Sequence, residues 1–96
     1  MLESFEVGTF ASRLGETFQI GADPDWFEMT LIEATALGEG TEGRRAPFSI
    51  VLRGPGDRVL PQQIYRVTHE GIAEFELFLV PIGPDREGMR YEAVFG

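Results

Sequence analysis

The C-terminal third of the chain is the segment that most restricts the fold. Apolar residues alternate with polar ones along residues 72–81 and again along 89–95, and a Gly-Pro-Asp sequence at 83–85 separates the two runs. A period of two is typical of β-strands that bury one face, and Gly with Pro between such runs indicates a turn. The second run stops one residue before the last, so we expect the chain to end inside a sheet.

Four earlier segments show a similar pattern and are also predicted strands. They are residues 17–21, 26–36, 47–53 and 64–69. The alternation within 26–36 is interrupted after Leu31, because Ile32 follows it directly. A β-bulge near these two residues would restore the phase of the strand.

Two Gly-Pro sequences indicate the turns between the later strands. Residues 54–57 read Gly-Pro-Gly-Asp, which places Pro55 and Gly56 at the positions that a type II turn requires. Residues 83–86 fit a type I turn.

One short helix is predicted before the first strand, over residues 9–15. Thr9 is suited to the N-cap position and Gly15 to the residue that follows the helix. Phe10 and Leu14 are four residues apart, so we expect both to face the core.

These elements predict an all-β fold: a small β-sandwich or partly open barrel of about six mostly antiparallel strands, with one short N-terminal helix. No helix of crossover length separates the strands, which disfavours a parallel sheet. Ninety-six residues are enough for one core, so residues 1–96 are predicted to be a single domain.

The charged residues and the missing residue types exclude several kinds of function. The net charge of -8 repels phosphates, so neither nucleic acid nor an anionic membrane is an expected partner. The chain has no cysteine and no lysine, which excludes disulfides, thiolate zinc sites and Schiff-base chemistry. We expect no cofactor. The N-terminus lacks the pattern of a signal peptide, so we expect a cytoplasmic protein, with leaderless export left open.

A group of carboxylates and a glycine-rich sequence each resemble a chemical site. Asp23, Asp25 and Glu28 are spaced closely enough to suggest a hard-cation site, but a turn ahead of a strand is the favoured interpretation and no metal site is predicted. The Gly-x-Gly-x-x-Gly spacing at 38–43 contains two glutamates and precedes no helix, so it does not predict phosphate binding.

A small hydrolase would use glutamates of the predicted hairpin. Glu74, Glu76 or Glu92 would act with His69, the only histidine of the chain. The favoured interpretation is that Glu74 and Glu76 lie on a solvated face or pair with Arg66 or Arg90, and that the histidine caps a turn. No catalytic residues are predicted, and the protein is expected not to be an enzyme.

An interaction surface is predicted from apolar residues on the strand faces that point away from the core. Trp26 lies off the face that carries Phe27, and Phe78 and Val80 lie off the face that carries Phe75. Either the short helix covers these side chains, or they form a docking patch.

A basic spot is the second predicted part of this surface. Arg44 and Arg45 lie in a Gly-rich loop at 38–46 and, with Arg53 and Arg58 of the next connection, could meet the acidic face of a neighbouring copy of the chain. A flexible, solvated loop is the favoured interpretation.

Seven segments together resemble a known family over nearly the whole chain. They are Gly15-Glu16-Thr17-Phe18, Pro47-Phe48-Ser49, Arg53-Gly54-Pro55, Leu60-Pro61-Gln62, the stretch 65–69, the stretch 77–85 and the stretch 88–95. The family comprises bacterial proteins of about a hundred residues and is known only as a domain of unknown function. Its members tend to be encoded near phage-tail-like or tail-collar proteins, which implies a structural or assembly role.

The predicted function is therefore a non-enzymatic structural or protein-interaction module. It would assemble with itself through exposed strand edges, or belong to a phage-tail-like assembly. The alternative is a small-ligand or carbohydrate-binding domain that uses Trp26 and nearby carboxylates.

Overall fold

The computed structural model describes residues 5–22, 24–41, 43 and 46–96. This part of the chain forms α1 (Val7–Ala11), β1 (Thr17–Ala22), β2 (Asp25–Ala36), β3 (Phe48–Gly54), β4 (Gln63–His69), β5 (Ile72–Pro84) and β6 (Met89–Phe95). All six predicted strands are present, and β5 continues beyond its predicted end at residue 81.

The six strands close into an antiparallel barrel. The order around it is β1-β2-β3-β6-β5-β4, and β1 closes the ring by pairing with β4 from Gln19↔Thr68 to Gly21↔Arg66. The all-β prediction and its barrel alternative are thus confirmed. Each of these strands has a hydrogen-bonded neighbour on both sides. The expectation of exposed strand edges is therefore wrong, because barrel closure pairs them.

The predicted bulge in β2 is confirmed. The register against β3 shifts between Leu31 and Glu33, which leaves Ile32 as the extra residue. The core face is therefore kept across the bulge: Leu31 before it is buried, and Ala34 after it packs against the core.

The predicted turn types are wrong at both Gly-Pro sequences. A type II turn needs a positive φ at Gly56, and Gly56 is not among the described residues with positive φ. At the second sequence β5 runs through Pro84, and the loop to β6 comprises residues 85–88. The two turns pack together: a Cβ on Gly88 would lie 2.2 Å from the Gly54 carbonyl oxygen.

The helix starts earlier than predicted. It begins at Val7, and Thr9 lies inside it, where its hydroxyl accepts the Glu6 N–H at 3.1 Å. The helix ends at Ala11, so Leu14 is not on the helical face of Phe10 and is 51% exposed. The expectation that both face the core is correct for Phe10 only.

Phe10 fills one end of the barrel. Its ring is fully buried and lies 5.4–6.3 Å, centroid to centroid, from four phenylalanine rings of the strands: Phe18, Phe48, Phe75 and Phe95. Phe5 packs beside them, 5.0 Å from Phe75.

The segment between β3 and β4 covers the opposite end. Leu60 is buried, and its N–H donates to the Tyr91 hydroxyl at 2.8 Å. The Tyr65 hydroxyl donates to the Pro61 carbonyl at 2.5 Å. With both ends filled and the interior packed, the surfaces left for function are the outer faces of the strands.

Candidate functional site

Trp26 begins a row of outward-facing positions across four strands. Trp26 on β2 is opposite Gly21 on β1, Gly21 is opposite Arg66 on β4, and Arg66 is opposite Glu76 on β5. Partners in such a row project from the same side of the sheet.

The Trp26 ring lies against the surface of the barrel at Gly21. A Cβ on Gly21 would be 2.9 Å from two atoms of the ring, so glycine leaves the space that the ring occupies. The Arg66 guanidinium carbon is 5.3 Å from the ring centroid, within the range of a cation–π contact. The side chain remains 43% exposed, so Trp26 is neither in the core nor covered by another element.

The next outward row carries two large apolar side chains. Ile64 and Phe78 are directly opposite each other on β4 and β5, and they are 60% and 48% exposed. Val80 follows Phe78 on the same side of β5 and is half-buried. We call these three residues the apolar face. The helix does not cover it, because Phe10 packs inside the barrel.

Two glutamates flank the apolar face. Glu76 precedes Phe78 on the outer side of β5, and Glu92 is the partner of Val80 on β6. Glu74 forms an ion pair with Arg66, with 3.7 Å between Oε2 and Nη1. The prediction that this glutamate pairs with an arginine across the hairpin is confirmed.

An open groove of about 760 Å³ lies over β1 on the other side of the Trp26 row. Its walls include Glu16, Thr17, Gln19, Glu28, Thr68 and Glu70. The Gln19 amide donates to the Glu28 carboxylate at 3.3 Å. The groove is therefore lined by hydroxyl, amide and carboxylate groups.

His69 supports one wall of this groove. Its Nδ1 accepts the Gly71 N–H at 2.9 Å, so the ring hydrogen is on Nε2, which donates to the Glu16 carboxylate at 2.7 Å. The ring also packs on Phe18, 4.5 Å between centroids, and its side chain is 7% exposed. The prediction of a turn-capping histidine is confirmed, and the contact with Glu16 was not foreseen.

The groups needed for the hydrolase alternative are not brought together. Glu92 is opposite Val80, which is four residues along β5 from Glu76, a separation of about 13 Å along the strand. Both ring nitrogens of His69 are hydrogen-bonded, one to Glu16 and one to the Gly71 N–H of the turn. Glu74 and Glu76 share the outer side of β5, but Glu92 does not adjoin them and His69 is hydrogen-bonded to Glu16 instead.

The other acidic group, Asp23, Asp25 and Glu28, for which no metal site is predicted, lies only partly within the described residues. Asp23 lies outside them, as do Arg44 and Arg45 of the predicted basic spot. Within the described ranges, no group of three or more His, Asp or Glu side chains is arranged to hold a metal ion.

An ion pair at the end of the barrel was missed by sequence reasoning. Nε and Nη2 of Arg53 donate to the Asp85 carboxylate, which also accepts the Glu87 and Gly88 N–H groups at 2.9 and 3.0 Å. The hydrogen bonds from Arg53, followed by those from the backbone, lower the pKa of Asp85 to about 2. The pair joins β3 to the β5–β6 loop and has a structural role.

Ile64 was also missed as part of the interaction surface. Its exposure could have been predicted, because Tyr65 and Val67 are inward and the alternation places Ile64 outside. Its position opposite Phe78 depends on the register of β4 against β5, which the alternation does not determine.

A family described as a domain of unknown function, DUF6916, matches residues 5–95. No curated protein and no solved structure matches the chain. In the described part of the chain, no helix has the length and apolar character needed to cross a membrane.

Proposed function

Since the chain belongs to the DUF6916 family of domains of unknown function, we propose from its own surface that it is a non-enzymatic module that binds another protein through the apolar face. The observation that carries this proposal is the pair of Ile64 and Phe78. Two large apolar side chains, directly opposite each other and each about half exposed or more, stand on the outside of a barrel whose interior is already filled. Contiguous exposed apolar groups with a polar rim are typical of protein-binding sites.

The acidic rim specifies the chemistry of the partner. Glu76 and Glu92 flank the apolar face, and Arg66, which is opposite Glu76, forms an ion pair with Glu74 further along the hairpin. A partner with an apolar centre and arginine or lysine side chains around it complements this surface. A second copy of the chain does not, because a symmetric contact would bring one acidic rim against another and each chain carries a net charge of -8.

The sequence resemblance suggests which partner to test first. It implies a bacterial protein encoded near phage-tail-like or tail-collar proteins. We therefore propose a component of a phage-tail-like assembly, with a basic rim around an apolar patch, as the occupant of the apolar face.

The test compares three purified proteins against candidate components: the natural chain, the double variant Ile64→Ser/Phe78→Ser, and Val59→Ser. Val59 is 59% exposed and lies outside the apolar face, so it is the matched control. We expect the double variant to weaken binding at least about tenfold, because truncation of central apolar anchors typically costs more than 1 kcal/mol each. Val59→Ser should bind like the natural chain.

Two further measurements belong to this experiment: the salt dependence of binding, and the oligomeric state by light scattering. Binding that depends on the acidic rim should weaken as the salt concentration rises. A partner that binds the double variant as tightly as the natural chain would overturn the proposal, as would the absence of binding to every component tested. A dimer abolished by the double variant would replace the proposed partner with a second copy.

A further inference from the structure

We propose that the groove over β1 and the adjoining Trp26 together bind a neutral oligosaccharide. This site is separate from the apolar face and has a different chemistry. The groove is polar and open, whereas the apolar face presents aliphatic and aromatic side chains.

The first argument is the position of Trp26 relative to the groove. Gln19 and Glu28, which line the groove, are opposite each other on β1 and β2. Gly21 and Trp26 form the next row on the same side of those strands, about 7 Å further along. A flat aromatic surface thus adjoins the groove at a spacing comparable with one sugar ring. Trp combines a large apolar area with low conformational entropy, which suits stacking on a saccharide.

The second argument is the set of hydrogen-bonding groups. Carboxylates and amides can each bond two neighbouring hydroxyls of a sugar, and Glu28 and Gln19 are already held together at 3.3 Å. Glu16 is held by the His69 Nε2–H. Because these groups are fixed before a ligand arrives, little side-chain entropy is lost on binding.

The third argument is charge, which selects a neutral ligand. Glu16, Glu28 and Glu70 line the groove, so uronic acid, sulfate or phosphate groups would be repelled. A cationic ligand is disfavoured at the tryptophan, because the Arg66 guanidinium carbon, 5.3 Å from the ring centroid, would repel a second positive charge there. A saccharide without charge is repelled neither by the glutamates nor by Arg66, and Trp26, which is 43% exposed, keeps ring area for it.

The experiment uses Trp26 itself as the reporter, since it is the only tryptophan of the chain. Cellohexaose, chitohexaose, maltohexaose, xylohexaose and mannohexaose are titrated into the full protein while tryptophan fluorescence and heat of binding are recorded. We expect at least one of them to give a saturable change at millimolar concentrations. Glu28→Ala should weaken that binding about tenfold or more, because it removes a charge-assisted hydrogen-bond acceptor at an exposed position.

Two controls separate this site from the apolar face and from a basic peptide. Phe78→Ser should bind the saccharide with unchanged affinity, so failure here is distinguishable from failure of the proposed protein-binding role. Circular dichroism verifies that Glu28→Ala is folded. If none of the five saccharides gives a saturable signal, the proposal is wrong. It is also wrong if a tetra-arginine peptide, and none of the saccharides, changes the tryptophan fluorescence and Glu28→Ala abolishes that change.

Discussion

Asp85 connects β3 to the β5–β6 loop through one carboxylate. Arg53 of β3 donates two hydrogen bonds from Nε and Nη2, and the backbone of the β5–β6 loop donates two more, from Glu87 and Gly88. All four bonds favour the charged form, which is why the pKa of this carboxyl falls from 3.8 to about 2.

The pH dependence of folding follows from this pKa. Asp85 has a lower pKa in the folded than in the unfolded chain, so its contribution to stability is fully present above about pH 4 and is lost as the pH falls towards 2. We expect Asp85→Asn to lower the free energy of unfolding at pH 7 and to flatten its decline between pH 4 and 2. Urea unfolding followed by circular dichroism at several pH values measures this. Asp57→Asn, at a position 75% exposed, is the control and should keep the natural curve.

Gly88 shows how closely the two turns approach. Its missing Cβ would lie 2.2 Å from the Gly54 carbonyl oxygen and 3.1 Å from Cγ of Arg53, so any side chain forces the backbone apart. We expect Gly88→Ala to destabilise the protein by about 1–3 kcal/mol. Gly8→Ala is the matched control, because nothing lies near its Cβ and the position is helical. It should be neutral or stabilising by up to about 1 kcal/mol. Equal effects of the two substitutions in thermal unfolding would contradict this explanation.

At the scale of the elements, α1 depends on packing rather than on its own sequence. A helix of five residues is not stable in water alone, and the buried Phe10 ring is what attaches it to the barrel. We expect Phe10→Ala to lower the free energy of unfolding by about 3–5 kcal/mol, because it empties a site among four phenylalanine rings. Leu14→Ala should change it by less than about 0.5 kcal/mol, since Leu14 is largely exposed. Chemical denaturation measures both free energies of unfolding. A large effect of Leu14→Ala would contradict the short helix and support the longer one predicted from the sequence.

Strands were predictable and the ends of the helix were not, for a physical reason. The apolar period of two follows directly from burial of one face, and even the bulge at Ile32 appears as a break in that period. Thr9, by contrast, can act at the N-cap or inside the first turn, and its hydroxyl bonds Glu6 in the second way. Gly56 packs close to Gly88, 32 residues away, where an added Cβ would lie 3.4 Å from the Gly88 Cα, and no local pattern contains that contact.

At the scale of the whole molecule, barrel closure decides which surfaces remain for binding. The exposure of Trp26, Phe78 and Val80 could be predicted from alternation alone, because each lies off the core face of its strand. Alternation could not predict which residue is opposite Phe78 or which residues line the groove. Ile64 meets Phe78 through the β4–β5 register, and the groove exists because β1 pairs with β4, which is distant in sequence.

The same closure leads to an expectation about self-association. A ring of six paired strands offers no edge strand for β-augmentation, and two chains of charge -8 repel each other at low salt. Light scattering after size exclusion should therefore give a monomer at neutral pH and low ionic strength. At 1 M salt the Debye length falls to about 3 Å, and any weak dimer that then appears should form through Ile64 and Phe78. Such a dimer would be absent in Ile64→Ser/Phe78→Ser and retained in Val59→Ser. A stable oligomer at low salt that survives the double substitution would show that association uses a different surface and does not depend on the apolar face.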